Sequence, residues 1–363
     1  MLESFLKLDT LRSGLSRYLK KYQYKNAQTW QLWQSFTEVV NRASSSINVT
    51  SIMDRWVKQK GFPVISSRIE RNRLYLNQKR FLSSPESGSS FDHLYNLESS
   101  GTKIGSDIQS KRDGSSDHHP IMNHNRVNSN QITDGQVGEG STEDSHSSPF
   151  GYQWIIPITI ITNKVPDVPR LVWLSAPDAV LNMDPSVEWF KLNVNQSGFY
   201  RVNYDDVNWR NLIELLHARD WNRHILTPAD RSNLLDDSLS FMKVSLISAD
   251  LAMNLTAYLE SGERDYVPWA TAIRHFYSLD SVMNGHPLFQ AYVKRLLQPY
   301  LILSSWKDEG THLTRKLRAI ILKAAIMFGD DDSIKSARRF FDEWITNRYV
   351  VCFCETKNQF IFN

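Results

Sequence analysis

Cysteine is nearly missing: two in 363 residues, so no disulfide framework organises this chain. Both, Cys352 and Cys354, stand near the C-terminus as a lone C-x-C, too few donors for a structural zinc site. No run of about eighteen apolar residues occurs, so no membrane-spanning helix is expected. The opening, MLESFLKLDTLRSGL, lacks the basic-then-apolar layout of a signal segment. A strong excess of one charge is lacking as well. The net charge is +3 and no basic stripe with interleaved aromatics appears, so nucleic acid is set aside as a partner. What is present is apolar material, 41% hydrophobic and 12% aromatic residues, enough for real cores. The length suggests roughly two domains.

The pattern turns at residues 189–209, WFKLNVNQSGFYRVNYDDVNW. Phe190, Leu192 and Val194 alternate with Lys191, Asn193 and Asn195. After Gln196-Ser197-Gly198, Tyr200, Val202 and Tyr204 alternate with Arg201 and Asn203. Period-two alternation across a short Gly-containing turn predicts a β-hairpin with one buried face. Asp205-Asp206 then opens a helical spacing through Trp209, Leu212, Ile213, Leu215 and Leu216. Strands precede this junction and helices follow it. The stretch resembles the signature of the zinc-dependent aminopeptidase N family (gluzincin metalloaminopeptidases). In that family it closes a small β-sandwich domain and opens a large α-helical C-terminal domain.

The rest of the chain agrees. Phe5, Leu6, Leu8, Leu11, Leu15, Tyr18 and Leu19 recur at helical steps, as do Ala27, Leu32, Trp33 and Phe36. MLxxFL…GLxxYLxxxxYxNAxTxxLW resembles the last helices of the family's catalytic domain, with Gln31 standing where the family carries an acid. MDRWVKQKGFPV resembles the exit from that domain, with Trp56 and Phe62 expected as core anchors and Gly61 and Pro63 as the helix stop. Residues 64–82 predict two strands around Asn72-Arg73, and YLNQKRFL resembles a family strand. Residues 83–150 are rich in Ser, Gly, Asp, Asn and His. So sparse an apolar content predicts a disordered insertion. Its His118, His119 and His124 are expected to be solvated rather than metal-ligating. Strand character returns at YQWIIPITI, similar to the family's YxWxIPI, with Pro157 predicting an edge or bulge. Leu171–Leu174 predicts another strand, for a sandwich of about seven.

Beyond 205 the chain is helical. Thr227-Pro228-Ala229-Asp230 offers a hydroxyl N-cap, Pro at the first helical position and an acid at the third, ahead of an apolar face of Leu234, Leu235, Leu239 and Met242. Further helices are expected from Ser248, Val267, Pro287, Leu313 and Ile334. Short connectors between them predict antiparallel pairs stacked as an α-solenoid. The expected fold is therefore multidomain α + β. Residues 1–63 are a short helical remnant of a catalytic domain, and 64–204 a small β-sandwich interrupted at 83–150. Residues 205–348 are the α-solenoid, which the family would continue with more helix pairs, and 349–363 a divergent tail.

The resemblance implies zinc held by the two His of an H-E-x-x-H helix and a later Glu, with the motif's Glu as general base. It also implies a G-x-M-E-N loop for the substrate's free amine and an oxyanion-stabilising Tyr. Neither H-E-x-x-H nor G-x-M-E-N occurs in this chain, and the Tyr would precede Met1. No catalytic or metal-ligating residue is therefore assigned. His217, His224, His275, His286 and His312 are expected at surfaces or helix ends. Asp236-Asp237 is expected as a partly buried helix acid pair and Asp330–Asp332 as a loop. Three sequons name Asn48, Asn195 and Asn254 as candidate glycosylation sites, in keeping with the family's lumenal or cell-surface habit. The chain is expected to supply the spacer and substrate-capping domains of a zinc metalloaminopeptidase acting on peptides. It is expected to be inactive alone, with homodimer contacts among those the family implies. The rival reading is a non-catalytic peptide- or partner-binding module built on the solenoid.

Overall fold

The computed structural model describes residues 1–42, 47–83, 148–218, 225–303 and 305–346. The predicted insertion, with His118, His119 and His124, falls almost wholly outside the described residues. So do His224, Cys352, Cys354 and the predicted tail. Among the described residues the chain forms eleven α-helices and seven β-strands, an α + β arrangement with a helical C-terminal region.

Helices α1 (Leu2–Leu6), α2 (Leu8–Lys21), α3 (Thr29–Arg42) and α4 (Val49–Val57) enclose a core of Phe5, Leu6, Phe36, Val40, Val49, Ile52 and Met53. Asn48 caps α4 by accepting the Ser51 N–H at 2.9 Å. The apolar spacing of α2 does not all turn inward. Leu11 packs on the core while Leu8, Leu15 and Leu19 are exposed. The residue of α2 that is fully buried is Gly14. A Cβ built there would fall inside the Phe36 ring, so Gly14 sets how closely α2 and α3 approach.

The strands are β1 (Pro63–Glu70), β2 (Arg73–Arg80), β3 (Ile156–Thr162), β4 (Val165–Leu174), β5 (Asp178–Asn182), β6 (Phe190–Leu192) and β7 (Arg201–Tyr204). They make a four-stranded sheet ordered β5-β2-β1-β7 and a three-stranded sheet ordered β4-β3-β6. β1 and β2 are antiparallel across Arg71-Asn72. Both turn residues have positive φ, as a tight two-residue hairpin turn requires. β3 is an inner strand, but β6 pairs only with Ile160–Thr162. Pro157 therefore has one strand neighbour, the locally edge-like place a proline tolerates.

Three expectations are corrected here. The 189–204 stretch is not a hairpin. β6 runs antiparallel to β3, whereas β7 runs parallel to β1 in the other sheet. Left-handed Asn193, Asn195 and Gln196 carry the chain between sheets. The Asn193 side chain pins that crossing by donating to the Gly198 and Tyr200 carbonyls and accepting the Gly198 N–H. β6 also lacks an exposed face, for Lys191 and Asn193 are both fully buried. Trp56 and Phe62 are half-buried rather than core. Trp56 donates its indole N–H to the Ile155 carbonyl, and Phe62 stacks on Phe81 beneath the exposed Phe199.

The helical region comprises α5 (Asp206–His217), α6 (Pro228–Lys243), α7 (Ala249–Thr256) with a 3-10 turn (Ala257–Ser261), α8 (Tyr266–Val282), α9 (Pro287–Leu303), α10 (His312–Met327) and α11 (Asp331–Thr346). α6 packs on α8 and α8 on α10, while the 3-10 turn after α7 packs on α5 and α9. Helix pairs are thereby stacked in two layers. Asp330–Asp332 is not a loop. Asp330 accepts the Ser333 N–H at 3.0 Å, and Asp331 and Asp332 form the first turn of α11, where carboxylates favour the helix dipole.

Replacing Gly14 with Val should lower stability by about 1–3 kcal/mol through overpacking against Phe36. The midpoint of urea unfolding, followed by tryptophan fluorescence, measures it.

Candidate functional site: an ionic junction

Charge meets burial where the strands give way to helices. Lys191 on β6 is 0% exposed. Its Nζ donates to the Asn233 side chain at 2.8 Å and to the Leu192 carbonyl, and lies 3.7 Å from the Asp230 carboxylate. Asp230 also closes the first turn of α6. It accepts the Thr227 N–H and hydroxyl while its own N–H donates to Thr227 Oγ1, the predicted capping box. It accepts the Asn195 N–H as well, at 2.7 Å. One carboxylate thus starts a helix, holds a loop and neutralises a lysine.

The next two turns of α6 repeat the arrangement. Arg201 on β7 donates to Asp236 and Asp237, each at 2.8 Å. Asp237 is 2% exposed and also accepts the Val202 N–H and the Asn233 amide. Asp236 meets His275 Nε2 at 2.8 Å and Arg274 at 2.6 Å, both on α8. His275 is thereby corrected: it sits mid-helix and buried, oriented by Asp236, rather than at a surface or helix end. α6 is buried nearly all round, Arg231, Ser232 and Asn233 included, because strands lie on one side of it and α7 and α8 on the other.

The titrations follow from this setting. Burial pushes the Asp237 carboxyl up to about 6, against Arg201 and the Val202 N–H. Burial would raise Asp236 too, but the His275 hydrogen bond and the Arg201 charge outweigh it and hold that carboxyl well below its usual range. Burial lowers the Lys191 ammonium, opposed by Asp230 and Asp237.

The family-like stretch around this site is a set of joints. Gly198 leaves room for the Tyr200 ring, which a Cβ would strike. The Tyr200 hydroxyl donates to the Pro157 carbonyl in the other sheet. The Tyr204 hydroxyl accepts the Leu192 N–H. Asp205 caps α5 through the Asn208 N–H and accepts the Ile69 N–H of β1. Asn208 both accepts from and donates to the Phe190 backbone, and Trp209 donates to the Asn203 side chain.

These residues do not suit zinc. Among the described residues no three His, Cys, Asp or Glu side chains are grouped to hold a metal ion. Asp236 and His275 face each other and two arginines, so any cation would compete with guanidinium groups already in place. The other described histidines are apart from it: His217 ends α5 beside the Asn254 carbonyl, His286 lies before α9 with its Nδ1 accepting the Leu288 N–H, and His312 opens α10. The three sequon asparagines are exposed on separate elements. Asn195 accepts the Thr227 hydroxyl, and Asn254 lies in α7 with its sequon Thr256 fully buried. No helix among the described residues is long and apolar enough to cross a membrane.

Comparison with known proteins adds two family matches. Residues 189–351 match an ERAP1-like C-terminal domain, and residues 1–56 match the peptidase family M1 domain. Over 350 residues the chain is 28% identical to mouse glutamyl aminopeptidase, covering 95% of this chain and 30% of that protein. The human thyrotropin-releasing hormone-degrading ectoenzyme is 25% identical, with 96% and 29% covered. Mouse endoplasmic reticulum aminopeptidase 1 is 24% identical, with 95% and 33% covered. The chain thus spans about a third of the length of these relatives.

Replacing Asp237 with Ala leaves the Val202 N–H and the Asn233 amide without their carboxylate acceptor and should cost about 1–3 kcal/mol. Asp237 has a folded value near 6 against 3.8 unfolded. Its own contribution is therefore full below 3.8 and is lost as pH rises through about 6. Asp237→Asn should flatten the dependence of stability on pH between those two values, relative to the unaltered chain. Urea unfolding at a series of pH values reads both effects.

Proposed function

We propose, from the premise that this chain belongs to the M1 aminopeptidase family and matches its C-terminal portion, that it is the spacer and helical part of an enzyme removing N-terminal residues from peptides. M1 aminopeptidases are zinc enzymes. In the intact enzyme the metal supplies an activated water, and that chemistry lies with residues this sequence does not contain. In this reading residues 1–63 close the catalytic domain, 64–204 are the spacer and 205–348 the helical domain. The helical domain stands over the catalytic centre and limits which peptides enter.

The observation that carries this reading is the junction. A spacer must keep the helical domain at a fixed attitude, and the joint is built of a buried charge on β6 and a half-buried one on β7 with their carboxylates on α6. Such a joint resists bending, because parting it would strand a buried Lys191 or Asp237 without its partner. The site has no exposed nucleophile poised beside a base, so its geometry serves rigidity rather than turnover.

The purified chain, incubated with zinc and then freed of excess metal, should retain substoichiometric zinc by atomic emission. It should release no arylamine from aminoacyl-arylamide substrates above the buffer blank. Stoichiometric zinc with zinc-dependent turnover overturns the proposal.

A further inference from the structure

The positive charge of this chain is concentrated in its first helices. Residues 1–42 hold seven basic and three acidic residues, a balance of +4 against +3 for the whole chain. Much of that excess lines one groove, of about 830 Å³, between α2 and α3. The volume falls within the roughly 300–1,000 Å³ of ligand clefts. Ser13, Ser16, Arg17 and Lys20 share one face of α2, at helical steps of three and four. Arg12 and Lys21 flank them, and Arg42 lines the groove from α3. Glu38 of α3 holds two of these cations in place, Arg17 and Lys21. The Arg17 hydrogen bond in turn keeps the Glu38 carboxyl below its usual range. Arg12, Lys20 and Arg42 are exposed and form no ion pair among the described residues. Like charges gathered without counter-charges raise the local potential and draw in anions.

What the groove offers selects the anion. Val39 is the one apolar residue lining it. No aromatic ring stands there for a nucleic-acid base to stack on. Both walls are helices, so there is no strand edge to pair with a peptide backbone, and no apolar pocket for a peptide side chain. The exposed Leu8, Leu15 and Leu19 of α2 do not line it, so it gives an acyl chain no apolar seat. Its lining is guanidinium, ammonium and hydroxyl groups, and a guanidinium fork presents paired N–H donors to two oxygens of one anionic group. We infer that the groove binds a linear sulfated polysaccharide, whose sulfate esters recur along a chain laid between α2 and α3. Sulfates supply the counter-charges that Arg12, Lys20 and Arg42 lack. Arg17 and Lys21, steadied by Glu38, direct their remaining donors to the same chain, and the Ser13 and Ser16 hydroxyls donate beside them. This inference concerns neither metal nor turnover and stands apart from the family reading.

Titration calorimetry of the full 363-residue chain with a heparin-derived hexasaccharide tests this. Saturable binding is expected, and it should weaken as salt rises because bound counterions are released. Arg12→Ala with Lys20→Ala and Arg42→Ala should weaken it at least about tenfold through the loss of three such contacts. The unfolding midpoint should stay where it is, since all three side chains are exposed. The control variant replaces three exposed cations that already face an acid, Arg210, Arg295 and Lys335, and should change binding less than about twofold. The same hexasaccharide stripped of its sulfates should not bind. The inference is overturned if the sulfated ligand does not bind, if the desulfated one binds as well, or if both triple variants lose affinity equally. Equal or tighter binding of a single-stranded oligonucleotide, an oligoglutamate or phosphatidylserine vesicles overturns it too.

Discussion

A buried lysine, a half-buried arginine and the carboxylates that answer them hold this structure together. Lys191 and Arg201 project from consecutive strands that belong to different sheets, and both find their acids on one helix, α6. A buried charge without its partner is costly, whereas hydrophobic contacts tolerate sliding. The placing of α6 against the strands is therefore fixed in register as well as in distance. α8 is then placed by α6, through Asp236 with His275 and Arg274 and through Arg231 with Glu263 and Asp265 just ahead of α8.

This organisation gives the most family-like stretch of the chain a structural role. From Gly198 to Trp209 nearly every side chain has a structural duty: a steric allowance, a sheet-to-sheet hydrogen bond, a helix cap or an ion pair. Such residues are as demanding in geometry as catalytic ones, because most of them satisfy a polar group of the junction that water does not reach. The fold and the activity of a family separate here. The joint lies within this chain and the metal-binding motif does not.

Local chemistry was legible wherever neighbours in sequence decide it. The Thr227–Asp230 capping box formed as written, Ser248 caps α7, and left-handed Gly262 ends the 3-10 turn. The strand pair was readable for the same reason, although its turn lies at Arg71-Asn72, one residue ahead of the predicted Asn72-Arg73, and α4 ends at Val57, ahead of the predicted stop at Gly61. The misreadings share one cause. Alternation at 189–204 suggested a polar face, but Lys191 is buried because Asn233 and Asp230 of α6, distant in sequence, meet it, and Asn193 because it turns back on the Gly198 and Tyr200 backbone. Periodicity counts a lysine as solvent-facing and cannot see the aspartate that will meet it. His275 was misplaced for that reason too: its carboxylate lies on another helix, and no i, i+4 spacing announces it. The exposed stripe of α2 carries the converse lesson, since apolar spacing marks a contact face without saying whether this chain supplies the contact.

By itself the sequence determined the order and type of elements, the starts of most helices, a resemblance to a zinc aminopeptidase family and the lack of that family's zinc motif from this chain. These depend on residues a few positions apart and on an ordered string of motifs. Only the tertiary structure decided that Phe190–Tyr204 divides between two sheets, that Asp230, Asp236 and Asp237 serve two strands from one helix, and that α2 keeps one apolar face open. Those facts depend on which distant segments arrive at the same place. Burying a charge is favourable only where its partner has already been brought there.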